Sequence, residues 1–169
     1  MKAIITILLF ALISFSASAQ QFKGLDNLPM KSDADFKKAE PTVKDCAKYL
    51  LTHPQDEKDE SAKNAARFLI IWMTGTPDYS FSVDGDMVKF TKKNTGLTAT
   101  YMASMIKAAL DKPEAAKDQK ALKIAAFKVF ADYCADEKNK VVKTSDLKKL
   151  IEANKKGKVE DVLDMTQIK

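Results

Sequence analysis

Breaker residues constrain this chain more than anything else, and it has only five glycines and five prolines. Between them lie long stretches rich in Lys, Ala, Asp, Glu and Leu with few β-branched clusters, the vocabulary of helices. The breakers fall where helical periodicity lapses: at His53-Pro54, at Thr74-Gly75 with Pro77, around Gly96, at Pro113 and at Gly157. A chain punctuated in this way is expected to be mainly α, a compact array of five to six helices.

Individual helices follow from stripe and cap. Ser32 before Asp33 and Asp35 is a start signal. Proline fits a first turn and breaks an interior, so Pro41 predicts a short helix near 33–39 and a new one from Pro41. Val43, Cys46, Ala47, Leu50 and Leu51 recur there at helical spacing and turn Cys46 inward. The acidic stretch 56–60 leads into a third helix striped by Ala62, Ala65, Ala66, Leu69, Ile70 and Met73, with Trp72 widening the stripe. Gly75 is expected to close it in a left-handed conformation, with Pro77 barring continuation. A helix over 97–112 follows, and Pro113 is expected to open the next at its first position. Its stripe, Leu122, Ala126, Phe127, Phe130, Ala131 and Cys134, turns Cys134 inward as well. Thr144 caps a further helix through Leu147, Leu150 and Ile151, Gly157 stops it, and Val159, Val162 and Leu163 mark a last amphipathic turn.

One stretch has a different period. Tyr79, Phe81 and Val83 alternate with serines, and Asp84-Gly85 has hairpin-turn chemistry. Folding about it pairs Phe81 with Val88 and Tyr79 with Phe90 on one face. This predicts a small β-hairpin near 79–90; the alternative is a loop followed by a helix from Asp86 to Lys93.

The N-terminus has the order of a secretory signal peptide: Lys2, an apolar run from Ala3 to Phe15, and Ala17-Ser18-Ala19 as a small-x-small cleavage site. Residues 1–19 are therefore expected to be removed and the mature chain to begin at Gln20, in the periplasm or outside the cell. No cysteine stands at the cut for a lipid anchor, and no second apolar run offers a transmembrane segment. The mature chain divides into a lead-in over 20–31, a helical domain over 32–156 and a tail over 157–169. An even cysteine count in an exported chain predicts a disulfide, here Cys46 with Cys134; two buried free thiols are the alternative.

Charge and chemistry narrow the function classes. The net charge of +5 is spread over lysines mixed with Asp and Glu, and Arg67 is the only arginine. Nucleic-acid readers cluster arginine, so no nucleic-acid partner is expected. His53 is the only histidine and sits at a helix end, which excludes a two-histidine metal site. There is no Gly-x-Ser-x-Gly elbow. Thr74-Gly75-Thr76-Pro77 lacks the lysine of a phosphate loop, and Asp84-Gly85-Asp86 lacks the ligand series of a calcium loop. The acidic run 56–60 reads as a solvated helix start. The expectation is a non-enzymatic protein with no cofactor, no metal and no catalytic residue.

What remains is a local density of aromatic and Met side chains: Trp72, Met73, Tyr79, Phe81, Met87 and Phe90. They are either core or a surface for a protein partner or hydrophobic ligand. The expected function is thus an exported helical binding protein of the cell envelope. A stress chaperone or a secreted-toxin immunity protein is the alternative. Oligomeric state is not fixed by any of these features.

The segment running from Ala66 to Phe81, followed by Tyr101-Met102-Ala103-Ser104-Met105, resembles small uncharacterised secreted proteins of Bacteroidetes. The Ala-Gln leader ending is similar to theirs. The resemblance spans most of the mature chain and implies an exported helical protein with no assigned reaction. A looser likeness is to one-disulfide periplasmic proteins, the HdeA-type acid-stress chaperones and the type VI secretion immunity proteins. It rests on Cys46 before Tyr49-Leu50, the Trp72 to Gly75 helix end and Tyr133-Cys134. The long separation of the cysteines and the expected hairpin depart from the small acid-stress chaperone.

Overall fold

The computed structural model describes residues 21–166, and the leader and its cleavage site lie outside them. Six α-helices follow in order: α1 Asp33–Thr52, α2 Glu60–Gly75, α3 Gly85–Thr91, α4 Leu97–Asp111, α5 Gln119–Ala135 and α6 Ser145–Lys155. Short 3-10 turns lie before α1 at Leu25–Asn27, between α4 and α5 at Ala115–Lys117, between α5 and α6 at Glu137–Asn139, and after α6 at Val159–Val162. Among the described residues there is no strand, and no helix is long and apolar enough to cross a membrane.

The helix starts are set by side chains that accept otherwise unpaired N–H groups. Ser32 accepts from the Asp35 amide at 3.3 Å while the Asp35 carboxylate accepts from the Ser32 amide at 3.0 Å, a reciprocal capping box. These bonds, with one from the Lys31 amide, hold the Asp35 carboxyl below its usual range. Asp59, Asp118 and Thr144 cap α2, α5 and α6 in the same way. The end of α6 closes on Gly157 at φ 69°, with the Lys158 amide donating to Ala153 at 2.8 Å and the Gly157 amide to Asn154 at 3.0 Å.

Four expected features of the elements are not found. Pro41 does not break the first helix, because α1 runs through it. Phe36 and Ala39 before the proline share one buried stripe with Val43, Cys46, Ala47 and Leu50 after it. Their joint burial outweighs an interior proline cost of about 3 kcal/mol. Pro113 does not open a helix; α5 begins at Gln119, where the Asp118 carboxylate takes the amides of Lys120 and Ala121. Gly75 is the last residue of α2, and its φ is not positive. Glycine is needed there for close approach: a Cβ would overlap the Phe36 ring of α1. Gly75→Ala is accordingly expected to destabilise the protein by about 1–3 kcal/mol through overpacking, read as a lower urea midpoint at unchanged slope.

The hairpin does not form either. Residues 79–84 are an irregular loop, and the chain then turns into α3. The Asp84 carboxylate accepts from the amides of Asp86 at 3.0 Å and Met87 at 3.4 Å, so the residue that reads as a hairpin turn is a helix N-cap. Val83 and Val88, which the hairpin would have packed, are both exposed.

Helix α4 organises the interior. It packs on α5 and on α1, while α1 and α5 scarcely touch each other. Leu97, Tyr101 and Met105 face one apolar cluster, shared with α3, α5, α6 and the C-terminal segment. Ala103, Ile106 and Leu110 face another, shared with α1 and α2. Aromatic contacts knit the first cluster, with Phe127 in edge contact with Phe90 at 5.4 Å and with Phe130 at 6.1 Å. The tail is part of it: Val159 is fully buried and Leu163 nearly so.

Cys46 belongs to the cluster of α1 and α2, and Cys134 to that of α5 and α6. Both face inward, yet on different sides of α4, and they are free thiols rather than a disulfide. Burial pushes each thiol up to about 12, reinforced at Cys46 by Asp45 and opposed at Cys134 by Lys143. Iodoacetamide at pH 8 is therefore expected to leave the native protein unlabelled. In guanidinium without reductant it should add two labels, read by intact mass; no addition there would restore the bridge.

Candidate functional site

Two places carry chemistry beyond ordinary packing. The first is a buried ion cluster. Lys123 Nζ lies 2.6 Å from Asp84 Oδ2 and 2.8 Å from Asp86 Oδ2, with side-chain exposures of 6%, 13% and 4% respectively. It also donates to the Asp164 carbonyl at 2.7 Å, and the Asp164 amide donates to Asp86 at 2.7 Å. Burial opposes the charged amine, but the hydrogen bonds to Asp84 and Asp86 prevail and hold Lys123 above its usual range. Burial, with the charges of Asp84 and Asp86, pushes the nearby Tyr101 phenol upward.

Charge-assisted bonds thus tie the start of α3, the first turns of α5 and the C-terminal segment into one knot. The cavity beside Lys123, lined also by Tyr101 and Leu122, is about 20 Å³, enough for one water and no substrate. The cluster is a latch. The sequence signal for it was the Asp-x-Asp spacing of 84 and 86, which reads locally as a turn; Lys123 carried no signal at all.

The second place is a groove of about 600 Å³ between α1 and α5, floored by α4. Its apolar surface comes from Ala47 and Leu51 of α1, Ile106 and Leu110 of α4, and Val129 and Tyr133 of α5. The Tyr133 hydroxyl donates to the His53 carbonyl at 2.8 Å, and Gln55 donates to Thr100 at 2.6 Å and to Tyr133 at 3.2 Å. The C-terminal ends of α1 and α5 therefore meet the start of α4. Hence α1 and α5 run the same way along the groove, and α4 runs against them.

The lips are charged with opposite signs. On α1, Lys44 and Lys48 lie one helical turn apart, exposed, with no ion pair or side-chain hydrogen bond among the described residues. On the other side Asp132 and Asp136 lie one turn apart. Asp132 accepts from Asn154 at 2.7 Å, and Asp136 meets Lys138 at 2.9 Å, whose hydrogen bond holds the Asp136 carboxyl below its usual range. Lys107 on the floor is already paired with Asp111 at 2.6 Å.

At the end of the groove where α1 and α5 terminate stands Asn139, 3% exposed. Its amide nitrogen donates to the Tyr133 carbonyl at 2.8 Å, which fixes the orientation of the side chain. Its Oδ1 is the single buried side-chain polar atom among the described residues without a partner. Buried acceptors are nearly always satisfied, so this orphan is an unpaired polar atom inside the junction of α1, α4 and α5 rather than one presented to solvent. Asn139 also borders a second depression, on the side of Gln55 and Gly96.

The residues expected to form a partner surface are divided by the structure. Trp72 and Phe90 are buried outright and Met87 almost so, which makes them core. Trp72 Nε1 donates to the Phe36 carbonyl at 3.0 Å, so even its polar handle is used internally. Met73, Tyr79 and Phe81 are half-buried and line a shallow depression with the exposed Ile70 and Val83. His53 caps the end of α1, its ring stacked on Tyr49 at 3.9 Å and Nδ1 2.9 Å from the Tyr49 carbonyl. Among the described residues no group of three or more His, Cys, Asp or Glu side chains is placed to hold a metal.

Comparison of the chain with protein-family models, with curated proteins and with solved structures gave no match.

Proposed function

We propose that this chain is an exported, non-enzymatic binding module that receives an amphipathic helix of a protein partner in the groove between α1 and α5. One observation carries the reading: two parallel helices flank a third without packing on one another, leaving an apolar seat with charged lips. That is the arrangement of a helix-in-groove binder, with apolar anchors inside and charge at the flanks. From 44 to 52 the seat extends about 12 Å at 1.5 Å per residue, two turns of a guest helix. Export is supported by the leader sequence over 1–19. An immunity protein is the same reading with a narrower partner. A general holdase is less favoured, because among the described residues only Ile70 and Val83 of the exposed large apolar residues share a depression, while Leu28, Val88 and Val142 lie outside it.

The test is a titration of isotope-labelled protein, residues 20–169, with an amphipathic helical peptide of leucine, glutamate and lysine. Amide shifts are expected over 44–52, 106–111 and 129–139. No shifts there, or shifts confined to the depression at Ile70 and Val83, would remove the reading. N-terminal sequencing of the protein from its native envelope should begin at Gln20; an intact Met1 would remove the export part.

A further inference from the structure

The ends and lips of the groove carry information beyond its shape. We propose that the groove, as a helix seat, admits its guest in one polarity and one charge register; this rests on the helix-binding function proposed above. The guest's N-terminus lies at Asn139, its acidic residues face Lys44 and Lys48, and its basic residues face Asp132 and Asp136.

The polarity is set by the ends. A helix N-terminus presents N–H groups that have no partner in its own first turn. The Asn139 end of the groove offers the Asp136 carboxylate, and it is where α1 and α5 both present the negative ends of their dipoles. A guest entering N-terminus first meets acceptors and negative potential. Entering the other way, it would set its own carbonyls against them. The favoured guest therefore runs antiparallel to α1 and α5, with its dipole opposed to both.

The register is set by the lips. Lys44 and Lys48 repeat at four residues, and so do Asp132 and Asp136 across the groove. Charged positions beside the apolar seam of a coiled coil likewise select partner and orientation. The two lysines have no partner of their own among the described residues, so an acidic flank gains contacts without displacing any. A guest with the flanks exchanged places like charges along both lips, and this repulsion supplies the discrimination.

The experiment uses two peptides with the same leucine stripe and composition: one with glutamates on the α1 side and lysines on the α5 side, the other with the flanks exchanged. Both are titrated into labelled protein at low salt, and a nitroxide at the peptide N-terminus reports polarity. The matched peptide should bind about tenfold more tightly, as expected for a few exposed pairs gained against the same number opposed. Its nitroxide should broaden the amides of Thr52 and Asn139 more than those of Lys44 and Lys107. Lys44→Glu with Lys48→Glu, at two exposed and unpartnered positions, should erase the preference while leaving the fold intact. Equal binding of both peptides in the groove, or broadening at Lys44 instead, overturns the inference and leaves the groove as a helix seat. Absence of groove shifts with either peptide overturns both. Concentration-dependent dimerisation that perturbs the groove without peptide makes a second copy the occupant and overturns the inference as well.

Discussion

Lys123→Ala should lower the unfolding free energy by about 3–5 kcal/mol, read as a shift of the urea midpoint at unchanged slope. The size comes from what is left behind. Asp84 and Asp86 would remain as two buried carboxylates without the ammonium that lies 2.6 and 2.8 Å from them. Lys89, at 3.7 Å from Asp86, is much more exposed and compensates poorly. The Asp164 carbonyl would lose its donor too, so protection of the tail amides from hydrogen exchange should fall along with global stability. Neutralising the whole knot, with Lys123→Met, Asp84→Asn and Asp86→Asn together, should recover most of the loss, because Asn at 84 still caps α3 and no unpaired charge remains. The pH dependence has a definite sign. Lys123 is held above its usual 10.5 in the folded state, so its contribution is complete below that pH. It fades as the pH rises through the folded value. The wild type should therefore lose stability in strong alkali by a step that Lys123→Met lacks; identical alkaline profiles would contradict the latch.

How far such features can be read from sequence depends on whether their determinants are local. Caps and stripes are local, so Ser32 and Thr144 were legible as helix starts and Gly157 as a stop, whereas Asp118, the cap of α5, was passed over for Pro113. The inward faces of Cys46 and Cys134 were legible for the same reason. Which cluster each face enters was not, because that depends on how α4 divides the interior, and periodicity carries no such information. The loop and helix over 79–91 show two local signals in competition. Alternation from Tyr79 to Val83 suits a strand, while Asp84 with Asp86 in the following turn suits a helix start. The decision comes from Lys123, which lies 39 residues beyond Asp84 and secures both carboxylates. The groove was illegible for a further reason. Lys44, Lys48, Asp132 and Asp136 each read as solvated surface, and only the placement of α1 and α5 on either side of α4 sets them across a common seat.

Trp72 separates a core reading of the aromatic segment from a surface reading by the largest margin. A tryptophan presented to a partner tolerates truncation in the free protein, where surface changes stay within about 0.5 kcal/mol. The observed Trp72 is fully buried between α1 and α2, and rings of the loop cover it, Tyr79 at 5.8 Å and Phe81 at 6.0 Å between centroids. Trp72→Ala should therefore cost about 3–5 kcal/mol from lost burial and the cavity left behind, with the Phe36 carbonyl losing a donor in addition. Trp72→Phe keeps most of the apolar contact but drops the indole N–H, so it should fall between the two. Because Trp72 is the single tryptophan, the protein supplies its own readout. Native emission should be blue-shifted and shielded from iodide, and both properties should be lost in urea at the same midpoint as the helical signal. Half-buried Tyr79 and Phe81 would then be the cover of that core: Tyr79→Ala should expose the indole to iodide at a smaller stability cost than Trp72→Ala. A native emission at the solvent-exposed wavelength, with Trp72→Ala as stable as wild type, would return this residue to the surface and leave the packing of α1 on α2 unexplained.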